Sequence, residues 1–123
     1  MSGLLVVCAT PIGNLSDASP RLIEALQRAD VVFAEDTRRT AKLLAAFGVE
    51  APLRSYFVGN ERERAPELEA HLAAGRTVAL VTDAGTPLVS DPGAGAVAAA
   101  VAAGAAVTVI PGPSAVTAAL AVS

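Results

Sequence analysis

The sequence predicts an α/β domain built on a five-stranded, mainly parallel sheet with helices on both faces. Three observations point that way. Short runs rich in valine and leucine recur along the chain, as expected of strands covered on both faces. Segments with apolar residues at helical spacing lie between them. Glycine- or proline-bearing turns separate one segment from the next. Strand alternating with helix implies right-handed crossovers and parallel pairing. The chain's 123 residues, 53% hydrophobic and 17% charged, suit one packed core and rule out a disordered segment.

Taken in order, residues 4–9 are a continuous apolar run, the first strand. Residues 10–19 form a loop holding Pro11, Gly13, Asn14 and Asp17. Ser19 and Pro20 read as N-cap and first helical residue, with Leu22, Ile23, Leu26 and Ala29 on one face. Residues 31–34 are the second strand. Asp36 or Thr37 caps a helix through Leu43, Leu44 and Phe47, which Gly48 ends. Residues 53–58 are the third strand, 61–74 a charged helix closed by Gly75, and 77–81 the fourth strand. A turn-rich loop spans 82–93, an alanine helix 94–103 closes at Gly104, and 107–110 is the fifth strand. Pro111, Gly112 and Pro113 then lead into a helix capped by Ser114.

Nine basic and twelve acidic residues give a net charge of −3, which argues against a polybasic arm for nucleic acid. One cysteine, Cys8, forms no internal disulfide and suits a reducing cytoplasm. Met1, Ser2 and Gly3 carry no basic segment of a secretory signal. Residues 92–123 hold no charge at all. They are too alanine-rich, and too broken by Gly104 and the Pro111–Pro113 turn, for a membrane span. Burial on most sides is expected instead, part of it against something outside this chain. The chain stops inside an apolar run, so residues 1–123 are expected to be one domain of a longer protein.

In open parallel sheets ligands bind beyond the carboxyl ends of the strands, so the loops there are the candidates for chemistry. The residues after the first strand, Thr10 to Leu15, match neither a dinucleotide fingerprint nor a Walker A loop. Those after the fourth, Asp83 through Gly93, combine aspartates, prolines and glycines. Small residues there let a flat ligand approach the main chain, with Asp83 as an acceptor; Asp91 is an Asp-Pro-Gly turn residue or a cap. The turn after the fifth strand presents a helix N-terminus at Ser114 and Ala115, suited to a polar or anionic group. After the second strand, Glu35 and Asp36 adjoin Arg38 and Arg39. The two acids point to opposite faces, against a carboxylate pair, and the arginines suit phosphates or plain solvation. Residues 61–69 alternate acid and base, as in Glu63, Arg64 and Glu67, and read as a solvated ion-paired face. His71 is the one histidine, so there is no metal constellation. No G-x-S-x-G elbow occurs.

Taken together the loops resemble one family. The ordered set is Thr10-Pro11-Ile12-Gly13-Asn14-Leu15, Ala34-Glu35-Asp36-Thr37-Arg38, Asn60-Glu61-Arg62, Asp83 through Gly93, and Ile110-Pro111-Gly112-Pro113-Ser114-Ala115. It resembles the N-terminal domain of the RsmI-type 16S rRNA 2′-O-ribose cytidine methyltransferases of the tetrapyrrole methylase superfamily. That resemblance implies S-adenosylmethionine as cofactor, no metal, and an acceptor ribose in small-subunit 16S rRNA, at cytidine 1402. It implies that Pro11, Ile12 and Gly13 border the methionine end of the cofactor. It implies backbone contacts from Ala84, Gly85, Thr86 and Val89 beside Asp83, and contributions from Ser114 and Ala115. A homodimer, a cytoplasmic location and a second α/β domain, absent from this chain, are implied as well. Arg38 and Arg39 are candidates for holding RNA phosphates, and Glu35 and Asp36 for accepting the ribose proton. Two departures stand out. Tyr56-Phe57-Val58-Gly59-Asn60-Glu61 holds no histidine where the family often has Tyr-His-x-His-Asn-Glu, and Ala94 replaces an aromatic residue after Asp91-Pro92-Gly93. Two other functions remain open: methylation of a tetrapyrrole or a modified protein side chain, and a non-catalytic dimerisation module.

Overall fold

The computed structural model describes residues 3–9, 19–82 and 91–110. They form strands β1 (Leu4–Ala9), β2 (Val31–Ala34), β3 (Leu53–Ser55), β4 (Thr77–Thr82) and β5 (Ala106–Ile110). Helices α1 (Pro20–Arg28), α2 (Thr37–Ala46), α3 (Glu61–Ala73) and α4 (Asp91–Ala102) connect them in turn. All four strand pairings are parallel, in the order β3-β2-β4-β1-β5. The five-stranded α/β sheet expected from the sequence is therefore present.

Alternation along each strand divides the core into two layers. Leu5, Val7, Val31, Phe33, Val78 and Leu80 face α3 and α4, where Leu68, Leu72, Ala96, Ala99 and Ala100 cover them. Val6, Cys8, Val32, Ala34, Ala79 and Val81 face the other way, under Leu22 and Leu26 of α1 and Leu43 and Leu44 of α2. Helices thus lie on both faces. The arrangement follows from crossover handedness. The chain moves toward one sheet edge from β1 to β2 to β3, then reverses from β3 to β4 to β5, and its helices change face with the reversal.

Local chemistry sets the helix ends. The Ser19 hydroxyl accepts from the Leu22 amide at 3.1 Å, and Pro20 occupies the first turn of α1. The Asp36 carboxylate accepts from the Arg39 amide at 3.0 Å, which makes Asp36 the cap of α2. Gly48 and Gly104, with φ of 67° and 72°, end their helices in a conformation that costs a side-chain-bearing residue roughly 1 kcal/mol or more.

Two boundaries differ from the sequence expectation by more than one residue. The third strand ends at Ser55 instead of residue 58. The Asn60 side chain accepts from the Phe57 amide at 2.9 Å and donates to the Ser55 hydroxyl at 2.8 Å, folding the chain into a turn. The fourth helix starts at Asp91, so Asp91-Pro92-Gly93 is its first turn and not the end of a loop. Proline tolerates a first turn because its missing N–H has no intrahelical partner there. The expected helix after Ser114 lies outside the described residues.

Candidate functional site

The parallel register places the carboxyl ends of three strands side by side. Ala9 of β1 is level with Thr82 of β4, and Cys8 with Ile110 of β5. Adjacent strands are about 4.8 Å apart, so the segments following β4, β1 and β5 begin next to one another. From β1 the chain passes to α1 on one face, and from β4 to α4 on the other. Adjacent strands whose connections leave to opposite faces open a crevice at their carboxyl ends, the usual ligand site of such sheets.

Ten residues singled out from the sequence lie in the segments that begin there: Pro11, Ile12, Gly13, Asp83, Ala84, Gly85, Thr86, Val89, Ser114 and Ala115. All ten fall outside the described residues; the strand ends from which they continue are described. At that edge the buried Thr82 hydroxyl donates to the Cys8 carbonyl at 3.5 Å, linking β4 to β1. The Cys8 thiol is itself buried, and desolvation pushes it up to about 12. It remains protonated at neutral pH, so Cys8 is a core residue and no nucleophile.

The same edge continues across β2 and β3. Ala34 is level with Val81 of β4 and with Ser55 of β3. Glu35, just beyond, donates its amide to the Val81 carbonyl at 3.3 Å and is half-buried. Its neighbour Asp36 is engaged as the α2 cap. The Asp36 carboxylate is thus engaged in the helix cap, whereas the Glu35 bond to β4 is made by its main chain. Arg38 and Arg39 are exposed on the first turn of α2, and exposed Lys42 lies one turn beyond Arg38. Thr40, Leu43 and Leu44 anchor the opposite side of that helix.

Beyond β3, Tyr56 is buried with its ring edge against Phe33 at 5.9 Å. Burial, reinforced by the charges of Glu61 and Glu69, pushes its phenol up to about 12. A Cβ placed on Gly95 of α4 would lie 2.9 Å from a Glu61 carboxylate oxygen and 3.6 Å from the Tyr56 hydroxyl. The glycine therefore allows the first turns of α3 and α4 to approach closely. No sequence pattern announced this junction, because its signal is one glycine within an alanine-rich helix. The charged face of α3 also differs from expectation. Glu67 is bound bidentately by Arg54 of β3, at 2.8 and 3.2 Å, as well as by Arg64 at 3.4 Å. Partial burial pushes the Glu67 carboxyl up, but Arg54, Arg64 and His71 outweigh it and hold the group below the usual range.

Among the described residues no group of three metal-ligating side chains occurs, and no helix is long and apolar enough to cross a membrane. Two shallow grooves, of about 370 Å³ beside α1 and about 450 Å³ beside the end of α2, do not touch Glu35, Arg38 or Arg39.

Comparison with known proteins agrees with this architecture. A protein named ribosomal RNA small subunit methyltransferase I from Xylella fastidiosa is 53% identical over 121 residues, spanning 98% of this chain and 44% of that protein. One of the same name from Synechocystis is 51% identical, spanning 96% of this chain and 42% of that protein. The chain thus spans less than half the length of these relatives. The solved uroporphyrin-III-C-methyltransferase of Thermus thermophilus superposes with a TM-score of 0.68 at 25% identity, over 89% of this chain and 46% of that one. The model of the tetrapyrrole (corrin/porphyrin) methylases matches residues 4–123, and the chain belongs to that family.

Proposed function

We propose that this chain is the N-terminal, cofactor-binding half of an S-adenosylmethionine-dependent methyltransferase that modifies the 2′-hydroxyl of a ribose in 16S rRNA, at cytidine 1402. The observation that carries the reading is the side-by-side placement of the β4, β1 and β5 carboxyl ends. The names of the relatives, which span nearly all of this chain, supply the substrate class. A second domain closes the cleft, and the enzyme works as a cytoplasmic homodimer.

The residues available fit the cofactor. Residues 10–18, 83–93 and 111–123 contain no lysine or arginine, but do contain Asp17, Asp83 and Asp91. S-adenosylmethionine carries one net positive charge, so an edge with acids and no bases favours it. Pro11, Ile12 and Gly13 border its methionine end. Ala84, Gly85, Thr86 and Val89 contribute main-chain contacts, Asp83 accepts from it, and Ser114 and Ala115 complete its site. Bound there, the cofactor supplies an electrophilic methyl group on a positively charged sulfur.

The acceptor is a polyanion, and the β2 side of the edge has the opposite character. Arg38 and Arg39 hold RNA phosphates and orient the ribose. In an in-line methyl transfer this alignment is the protein's main contribution. Glu35 accepts the ribose proton as the oxygen is alkylated. Asp36 is less suited to that task because its carboxylate caps α2.

The test uses the full-length protein, tritium-labelled S-adenosylmethionine, and small ribosomal subunits lacking the modification. Label in a single 2′-O-methylcytidine is expected. Label in a porphyrinogen and none in RNA would overturn the reading in favour of a tetrapyrrole substrate.

A further inference from the structure

The turn after β3 is not used by the reading above, although the sequence singled out its Asn60 and Glu61. It is an unusually well-tied turn. The Asn60 carboxamide accepts from the Phe57 amide and donates to the Ser55 hydroxyl, while the Asn60 amide donates to the Phe57 carbonyl at 3.0 Å. These bonds hold Phe57 and Val58 outward. Phe57 is 44% exposed and Val58 62% exposed; Val101 on α4 is the one other large exposed apolar residue among those described. The Phe57 ring also lies over Gly59. A Cβ on Gly59 would fall 2.5 Å from Cε2 of the ring and 3.2 Å from Cδ2. The ring therefore occupies the space a side chain would take at residue 59 and leaves its remaining surface to solvent.

Its surroundings indicate what it meets. Because β3 pairs with β2, with Ser55 level with Ala34, the turn opens at the same edge as the first turn of α2. That turn bears Arg38 and Arg39, with Lys42 one turn on. The acids nearby are Glu35, Asp36, whose carboxylate caps α2, and on α3 Glu61, with a carboxylate oxygen against Gly95, and exposed Glu63. An exposed aromatic in a tied turn, at the same edge as three exposed cations, is the pairing that single-stranded nucleic acid requires, stacking for the base and charge for the phosphates.

We propose that Phe57, in the turn that Asn60 ties and with room for its ring over Gly59, is a stacking platform for an unpaired base of the RNA substrate, next to the phosphates held by Arg38 and Arg39. This rests on the rRNA reading and deepens it. Phe57 positions RNA and takes no part in the chemical step.

The experiment measures methyl transfer to unmodified small ribosomal subunits by the full-length protein with Phe57, Phe57→Ala or Phe57→Trp. Phe57→Ala is expected to raise KM for the subunits about tenfold, within the range for loss of one base–aromatic stack. It should leave KM for S-adenosylmethionine and the melting temperature unchanged, and Phe57→Trp should restore the subunit KM. An unchanged subunit KM in Phe57→Ala would overturn the platform alone. Parallel losses in cofactor KM and melting temperature would also overturn it, as a structural role. No transfer to RNA by the unsubstituted protein would overturn the rRNA reading and the platform with it.

Discussion

The carboxyl edge of this sheet has two chemically distinct halves. The segments that continue from β4, β1 and β5 are small, glycine- and proline-bearing and free of basic residues. Those from β2 and β3 carry the basic residues Arg38, Arg39, Lys42, Arg62 and Arg64 within the first turns of their helices, interleaved with Glu35, Asp36, Glu61 and Glu63, and an exposed aromatic turn lies between. A chain with net charge −3 shows nothing of this division in its average. What matters to a ligand is the local field, since exposed charges beyond about 8–10 Å are screened at physiological salt. One edge can therefore hold a cationic cofactor at one end and a polyanion at the other.

The comparison breaks most visibly if the two halves fail to separate under substitution. In the full-length protein, Asp83→Asn is expected to weaken S-adenosylmethionine by about ten- to a hundredfold, the usual cost of one charge-assisted hydrogen bond. Binding to small ribosomal subunits should not change. Calorimetric titration of cofactor and filter binding of subunits measure the two quantities. Joint replacement Arg38→Ala and Arg39→Ala should do the reverse. Subunit binding falls about tenfold and the slope of log affinity against log salt drops by about two, one for each phosphate contact. Cofactor affinity stays constant. Equal loss of both ligands in either variant would mean that the halves form one site.

Much of this was legible in advance, for a physical reason. Runs such as Leu4–Ala9, apolar without a gap, have no stable place except a doubly covered strand. Ser19-Pro20 and Gly48 announce helix ends through backbone preferences that tertiary context rarely overrides. Asp36 was readable as a cap for the same reason. The third strand's end was misplaced because a side chain reaching across the chain sets it. Residues 53–58 have the composition of a strand, and only the Asn60 carboxamide, two residues beyond, ends it at Ser55. Glu67 looked like one member of a surface ladder, yet its main partner is Arg54 on a different element. Pattern reading along one helix cannot see such a pair. On the candidate site, the sequence placed Arg38, Arg39 and Glu35 at the carboxyl edge of the sheet, where the structure has them, but passed over Phe57, because exposure is a tertiary property.

The Arg54–Glu67 bridge supplies a smaller test, a change that should move neither ligand. It fastens α3 to β3 at part-buried positions. Glu67→Gln is expected to cost about 1 kcal/mol of stability with cofactor and RNA binding intact. Because the folded carboxyl titrates below its unfolded value, its contribution is present above the ordinary glutamate range near about 4.3. It is lost as pH falls through the folded value. Melting temperatures taken downward from neutral pH should therefore converge for the two proteins under acid. A constant gap would show that the Glu67 charge is not what holds α3 to β3.

Tyr56 gives the finest test, because it sits where the two halves touch. Its hydroxyl lies by Gly95 in the opening turns of α4, the helix entered from residues 83–90. It also stands between the end of β3 and the Phe57 turn. An unfolded phenol ionises near about 10, whereas the folded one remains neutral to about 12. Between those values the unfolded state loses a proton that the folded state keeps, so stability falls as pH rises. Tyr56→Phe should flatten that decline while changing stability at neutral pH by no more than about 1 kcal/mol. Cys8, raised to about 12, adds a dependence of the same sign that begins nearer about 9, and Cys8→Ala separates it. Chemical denaturation at stepped alkaline pH measures both slopes. If Tyr56→Phe also weakens cofactor and RNA together at neutral pH, the phenol couples the two halves through the α3–α4 junction. If neither changes, each half is held by its own strand ends.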